Sequence, residues 1–258
     1  MEDQFQQINH TLSTVYSGSL RLFMDAGLVR VHPFRQSYSR YEFPPADVGE
    51  AVGWTNVFRF AILEQFPGIY VDMDTVFLRS FTPIWEVYDQ GTPFASRWAN
   101  REYVSTSVLG IPPQARTLAS LPFRTHSFHP EPFSNVCCEE AECKKELVLF
   151  PPEFFDPLSL SEEGAAIGAA DESSWCGLSK YEDFFSASAS SHVNVTCLKS
   201  SSFAAHWHGQ WDASHCTPSS PIRLLRDSFA EVVNARFGYT IDLCEEERRE
   251  GVTKIFAF

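Results

Sequence analysis

The chain is short of positive charge. Its 258 residues carry 20 Lys and Arg against 33 Asp and Glu, a formal net charge of −13 at pH 7. Such an excess repels phosphate backbones and anionic bilayers, so no nucleic acid and no acidic membrane surface is expected as a partner. Also missing is any run of about 18 apolar residues, the length a helix needs to span a bilayer. No segment reads as a secretory signal peptide. The seven cysteines (Cys137, Cys138, Cys143, Cys176, Cys197, Cys216 and Cys244) follow no standard zinc spacing. They read better as disulfides of an oxidising compartment, with one thiol left over.

Apolar side chains, by contrast, are plentiful: 44% of residues, with 23 Phe, are ample for a core. The length suits one domain, with or without a small appendage. The organising stretch is residues 54–84, WTNVFRFAILEQFPGIYVDMDTVFLRSFTPI. From Trp54 to Leu63 the polar side chains are Thr55, Asn56 and Arg59, which predicts a buried helix rather than an amphipathic one. Asn56 and Arg59 are three apart and share a face. An interior Arg is costly unless paired, so that face needs an anionic or hydrogen-bonding group opposite it. Pro67-Gly68 stops the helix. The following IYVDMDTVFL reads as a strand, with Ile69, Val71 and Met73 facing one way and Tyr70, Asp72 and Asp74 the other. In an extended strand the two Asp Cα atoms lie roughly 6.5 Å apart. Both carboxylates can then serve one hard cation, Mn2+ or Mg2+, one directly and the other through water or a ligand hydroxyl. The plainer reading has the two acids simply ending a strand at the surface.

Thr55-Asn56-Val57-Phe58-Arg59, then Leu63, then Pro67-Gly68-Ile69-Tyr70-Val71-Asp72-Met73-Asp74 resembles the sugar-binding, DXD-containing glycosyltransferases. These are the α1,4-galactosyltransferase-like and mannosyltransferase-like Golgi enzymes. Their usual form is Ser-Asp-x-x-Arg followed by Gly-Gly-x-Tyr-x-Asp-x-Asp; here Asn56 stands for the Asp and Pro67 for the first Gly. The resemblance implies an α/β fold, the GT-A-like nucleotide-diphospho-sugar transferase sandwich, over residues 1–238. Residues 239–258 would be a C-terminal extension and 159–191 an irregular insert. It implies a metal-dependent transferase that moves a hexose from a nucleotide sugar (UDP-Gal, UDP-GlcNAc or GDP-Man type) to a hydroxyl of a glycan or glycolipid, with retention. Asn56, Arg59, Tyr70 and Asp72 are the expected donor contacts, and Asp72 and Asp74 the expected metal ligands. Front-face attack without a protein nucleophile is implied, and no residue is assigned as catalytic base. The resembling enzymes start with a membrane anchor, a stem and a first βα unit that holds the nucleotide base. This chain is expected to start within or after that unit, so that either a full-length form carries the missing part and with it an anchor, or the base site is built differently.

Residues 1–25 show helical periodicity with Gly27 as a stop, and 28–32 alternate like a short strand. Past the D-x-D, 79–85 reads as a loop entering a short helix, 92–96 and 105–111 as strands, 114–121 as a short helix, and 147–158 as a strand and turn. The segment SFAAHWHGQWD (202–212) resembles a late family strand ending in Ala-x-His before a Trp. A His or carboxylate there commonly completes the metal shell, so His206 is the expected third ligand, with His208 as the alternate. Against that stands an aromatic cluster packing a loop. Residues 221–237 read as a helix with Ile222, Leu225, Phe229, Val232 and Val233 roughly on one face. The sequons Asn9-His10-Thr11 and Asn194-Val195-Thr196, with the cysteines, point to an endomembrane lumen, and the resemblance implies the Golgi. Two other functions fit part of the pattern. One is a catalytically silent family member that binds sugar or a partner. The other is a haloacid-dehalogenase-type phosphatase, with Asp72 of Asp72-Met73-Asp74-Thr75-Val76 as nucleophile and Asp74 as acid/base. Pro67-Gly68 interrupts the apolar run which that phosphatase needs.

Overall fold

Helix α1 spans Ala51–Gln65, and between Asn56 and Leu63 only Phe58 is exposed. This matches a segment with apolar residues nearly all round. The computed structural model describes residues 51–72, 75–98, 104–125, 147–160, 175–178, 181–206 and 216–237. The helix and strand expected before residue 33, the cysteines at 137–143 and 244, and the tail at 239–258 lie outside these. The chain divides into two compact units, Phe43–Phe229 and Met1–Glu42 with Ala230–Phe258. Apart from 230–237, all that follows concerns the first.

After Pro67 the chain enters β1, Gly68–Val71. The single long strand expected through both aspartates is not formed. β1 ends at Val71, and β2, Thr75–Phe77, belongs to a second sheet. Two cores pull on the two halves. Ile69 and Val71 pack with Ile84, Phe94, Val108, Phe155 and Phe203, whereas Val76 and Leu78 pack with Leu158, Leu198, Ile222 and Leu225. The expected alternation survives within β1, because Tyr70 turns away from Ile69 and Val71 onto a third cluster that holds Phe60, Leu63 and Leu109.

The first sheet has four strands in the order β1-β4-β3-β5, where β3 is Phe94–Arg97, β4 Val104–Ile111 and β5 Val148–Phe150. β1, β4 and β3 run antiparallel and β5 is parallel to β3, so the sheet is mixed. All eight residues of β4 are buried. Leu109 and Ile111 face α1 and α3, Arg116–Thr125, while Val108 faces Ile84 of α2, Thr82–Asp89, and Phe155 of α4, Pro152–Phe155. The architecture is therefore mixed α/β. Among the described residues β1 is an edge strand of this sheet. Opposite Phe94, Gly110 is required by packing, since a Cβ there would lie 2.2 Å from the Phe94 ring.

The second sheet pairs β2 antiparallel with β6, Ala204–His206, in a register that sets Thr75 opposite His206. Its core draws on the segment expected to be an irregular insert: Leu178, Phe184 and Ala189 are all buried there. Irregular it is, with 3-10 turns at Tyr181–Phe185 and Ala187–Ser191, but it is built into the core. Trp175–Leu178 closes a tight turn with positive φ at Cys176 (53°) and Gly177 (87°) and a Leu178 N–H bond to the Trp175 carbonyl. Two positive φ values in sequence make this a type I′ turn, which favours Gly at its second position. A disulfide joins Cys176 to Cys197 in α5, Val195–Ser201, and Cys216 is disulfide-bonded as well. The expected final helix is α6, Pro221–Phe237, whose Ile222 and Leu225 are buried.

Candidate functional site

Four elements converge on the carboxylate of Asp72. It sits just past β1, where its N–H donates to the Ser107 carbonyl of β4 at 2.8 Å, the last link before the chain leaves the sheet. From α1 comes Arg59, whose Nη2 donates to Asp72 Oδ1 at 3.0 Å and more weakly to Oδ2 at 3.5 Å. The Arg59 side chain is 7% exposed and that of Asp72 16%, so the pair is largely withdrawn from water. Burying two charges is favourable only when further hydrogen bonds satisfy them. Here they do: Arg59 Nη1 donates to Thr106 Oγ1, and the Tyr70 hydroxyl donates to Asp72 Oδ1 at 2.7 Å. The Tyr70 ring also lies under the guanidinium, 5.0 Å from its carbon, a cation–π distance. The anionic partner that a buried Arg requires is thus Asp72 itself.

The fourth element is β6. Its last residue, His206, is buried and places Nε2 3.8 Å from Asp72 Oδ2. The two oxygens of Asp72 therefore have different surroundings. Oδ1 takes the short guanidinium bond and the phenol, while Oδ2 takes the longer guanidinium bond and faces an imidazole at a distance too long for a hydrogen bond. Two metal–ligand bonds of roughly 2.1 Å span at most about 4.2 Å, so one cation can reach both Oδ2 and Nε2. In that sense the donor set fits a divalent ion. Asp74 and His208 lie outside the described residues, and among those described no group of three His, Cys, Asp or Glu side chains is gathered.

Of the expected donor contacts, Arg59, Tyr70 and Asp72 form one connected group. Asn56 is buried one turn before Arg59 on α1 but has no hydrogen bond to that group. Thr106 and Ser107 were not anticipated. Their signal is the hydroxyl run Ser105-Thr106-Ser107 in a strand that otherwise reads Val, Leu, Gly and Ile. All three are buried, and the hydroxyls of Ser105 and Ser107 bond each other at 2.8 Å. This polar half of β4 is the floor on which Asp72 and Arg59 rest.

On the other face of β1, Ile69 and Val71 line a groove of about 320 Å3 with Phe77, Arg79, Phe81 and Trp85. Arg79 lies 3.7 Å over the Phe203 ring and donates to the Ser200 carbonyl. The groove is aromatic, and among the described residues its lining includes no carboxylate. Comparison of the chain with protein families, with curated proteins and with solved structures finds no match.

Proposed function

We propose that the chain is a metal-dependent glycosyltransferase of GT-A type that transfers a hexose from a nucleotide sugar to a hydroxyl of a glycan or glycolipid, with retention. The observation that carries this reading is the asymmetry of Asp72, held more closely on one oxygen by Arg59 and Tyr70 and presenting the other, which has the longer Arg59 bond, to His206. It joins the motif of the first half of the chain to the late Ala-x-His strand, as the resemblance implies. An imidazole beside a carboxylate suits Mn2+ better than Mg2+, which prefers oxygen ligands and keeps its water. When bound, such an ion supplies Lewis acidity against the charge that develops on a departing diphosphate. The protein's part is orientation. Arg59 and Tyr70 hold the rotamer of Asp72, Thr106 holds Arg59, and the burial of Arg59 and Thr106 limits water on the carboxylate's inner side.

A second reading has its own observation. The Arg59–Asp72 pair is complete as a structural ion pair, which suits a catalytically silent member that binds sugar or a partner. The phosphatase reading is less well served, because β1 is an antiparallel edge strand among the described residues and not the central strand of a parallel sheet. The deciding experiment supplies UDP- and GDP-sugars with Mn2+ and follows release of the nucleotide diphosphate, with a phosphate ester in parallel. Metal-dependent turnover of a nucleotide sugar, lost in Asp72→Asn with the fold retained, is the expected result. Turnover unchanged in Asp72→Asn overturns the assignment of the site. No turnover of either substrate favours the silent reading, and phosphate-ester turnover alone favours the phosphatase.

A further inference from the structure

We propose that Asn194 is a site of N-linked glycosylation. The sequon Asn194-Val195-Thr196 lies where the chain enters α5, and both Asn194 and Thr196 are exposed. Asn194 caps the helix with its side-chain oxygen, which accepts the Cys197 N–H at 2.9 Å. Its side-chain nitrogen has no hydrogen bond among the described residues, and that nitrogen is the atom glycosylation uses. Cap and glycan thus take different atoms of the same amide, and the modified residue can keep its place in the fold. The valines on either side point inward, Val193 buried and Val195 half-buried, which leaves the Asn194 side chain directed to solvent. A second observation stands beside the sequon: Cys197, three residues on, is bonded to Cys176. Stable disulfides form in the compartments where sequons are modified.

In the reaction, Asn194 Nδ2 attacks the anomeric carbon of an oligosaccharide carried on a polyisoprenyl diphosphate. The Nδ2–C1 bond forms, the C1–O bond to the diphosphate breaks with its electron pair, and one amide proton passes to base. The backbone N–H of Asn194 is held by the Cys176 carbonyl at 2.7 Å.

The test is expression of the full chain behind a cleavable secretory signal in a eukaryotic cell. Peptide mass spectrometry before and after peptide N-glycosidase is read on molecules in which the Cys176–Cys197 bond has formed. The expected result is a glycan on the peptide that contains Asn194, with conversion of that residue to Asp on release. Thr196→Ala, which leaves the capping oxygen in place, should lose the glycan and keep the fold, whereas Thr196→Ser should keep both. An unmodified Asn194 in disulfide-closed wild-type molecules overturns the proposal, as does a glycan that persists on that peptide in Thr196→Ala.

Discussion

At the scale of single residues, Asp72 has two tasks under the proposed function, pairing with Arg59 and holding the ion, and mutation tends to confuse them. Asp72→Ala takes a carboxylate away from the buried Arg59 charge, and breaking such a pair costs about 3–5 kcal/mol, so its loss of activity would say little about metal binding. Asp72→Asn keeps an oxygen for the Tyr70 hydroxyl and for Arg59 and is the cleaner probe. Arg59→Lys keeps the charge but loses the planar fork that bonds Thr106 and Asp72 at once. It should lower stability by about 1–2 kcal/mol, visible as a drop in Tm. Nucleotide-sugar turnover should fall about ten-fold as Asp72 loses its fixed rotamer. An unchanged Tm would mean that the ion pair is not part of what holds the site. His206 is separable from this pair. Under the proposed function His206→Ala should weaken Mn2+ binding while turnover falls, and wild-type affinity should itself fall as acid protonates the imidazole, since only the neutral ring can ligate. Titration calorimetry at two pH values checks both; equal Mn2+ affinity in His206→Ala and wild type would remove His206 from the ligand set.

At the scale of elements, the tight turn at Trp175–Leu178 gives the sharpest expectation. A methyl at Gly177 would fall 2.1 Å from the His192 carbonyl oxygen, on a residue whose φ is already +87°. Gly177→Ala should cost roughly 2 kcal/mol or more, from the left-handed backbone and from displacing a main-chain atom; urea melts compared with wild type measure it. The same elements show what could be read from the sequence. α1 and α6 were legible because their apolar spacing and their Pro and Gly boundaries act locally. β4 was legible apart from the purpose of its three hydroxyls. The break between β1 and β2 was not, because every residue of IYVDMDTVFL apart from the acids favours extended chain. What breaks it is the demand of two different cores on Val71 and Val76, a tertiary effect with no local mark. The need of Arg59 for a partner was readable from the cost of burial. That the partner would be Asp72, already reserved for a cation, was not, because it depends on how β1 docks against α1. Likewise Leu178, Phe184 and Ala189 looked like filler in a Ser- and Ala-rich stretch, and only the register of β6 shows which core they close.

At the scale of the whole molecule, the charge of −13 raises a difficulty for an anionic donor that Arg59 does not relieve, since its charge is already spent on Asp72. Under the proposed function, cationic attraction for the diphosphate has to come from the bound ion, which fits a strict metal requirement. The turn at Trp175–Leu178 is joined covalently to α5 beside the second sheet's core. The Cys176–Cys197 bond closes a loop with a sequence separation of 21. Loops of this size gain roughly 3 kcal/mol from a disulfide. The paired change Cys176→Ser with Cys197→Ser should lower stability by about that amount in chemical denaturation, and a change below about 0.5 kcal/mol would show that the turn holds without it. Finally, Asp72 and His206 stand 206 − 72 = 134 positions apart in the chain and meet only because Thr75 pairs with His206 across β2 and β6. Contacts that close such long stretches form late, after the entropy of closure has been met by more local structure. The Arg59–Asp72 pair, only 13 positions apart, can be in place well before. Cation binding by this pair of side chains would therefore report the end of folding rather than its course. Under the proposed function, a ribosome-bound chain lacking residue 206 could carry the Arg59–Asp72 pair and would still lack the imidazole proposed to hold the ion.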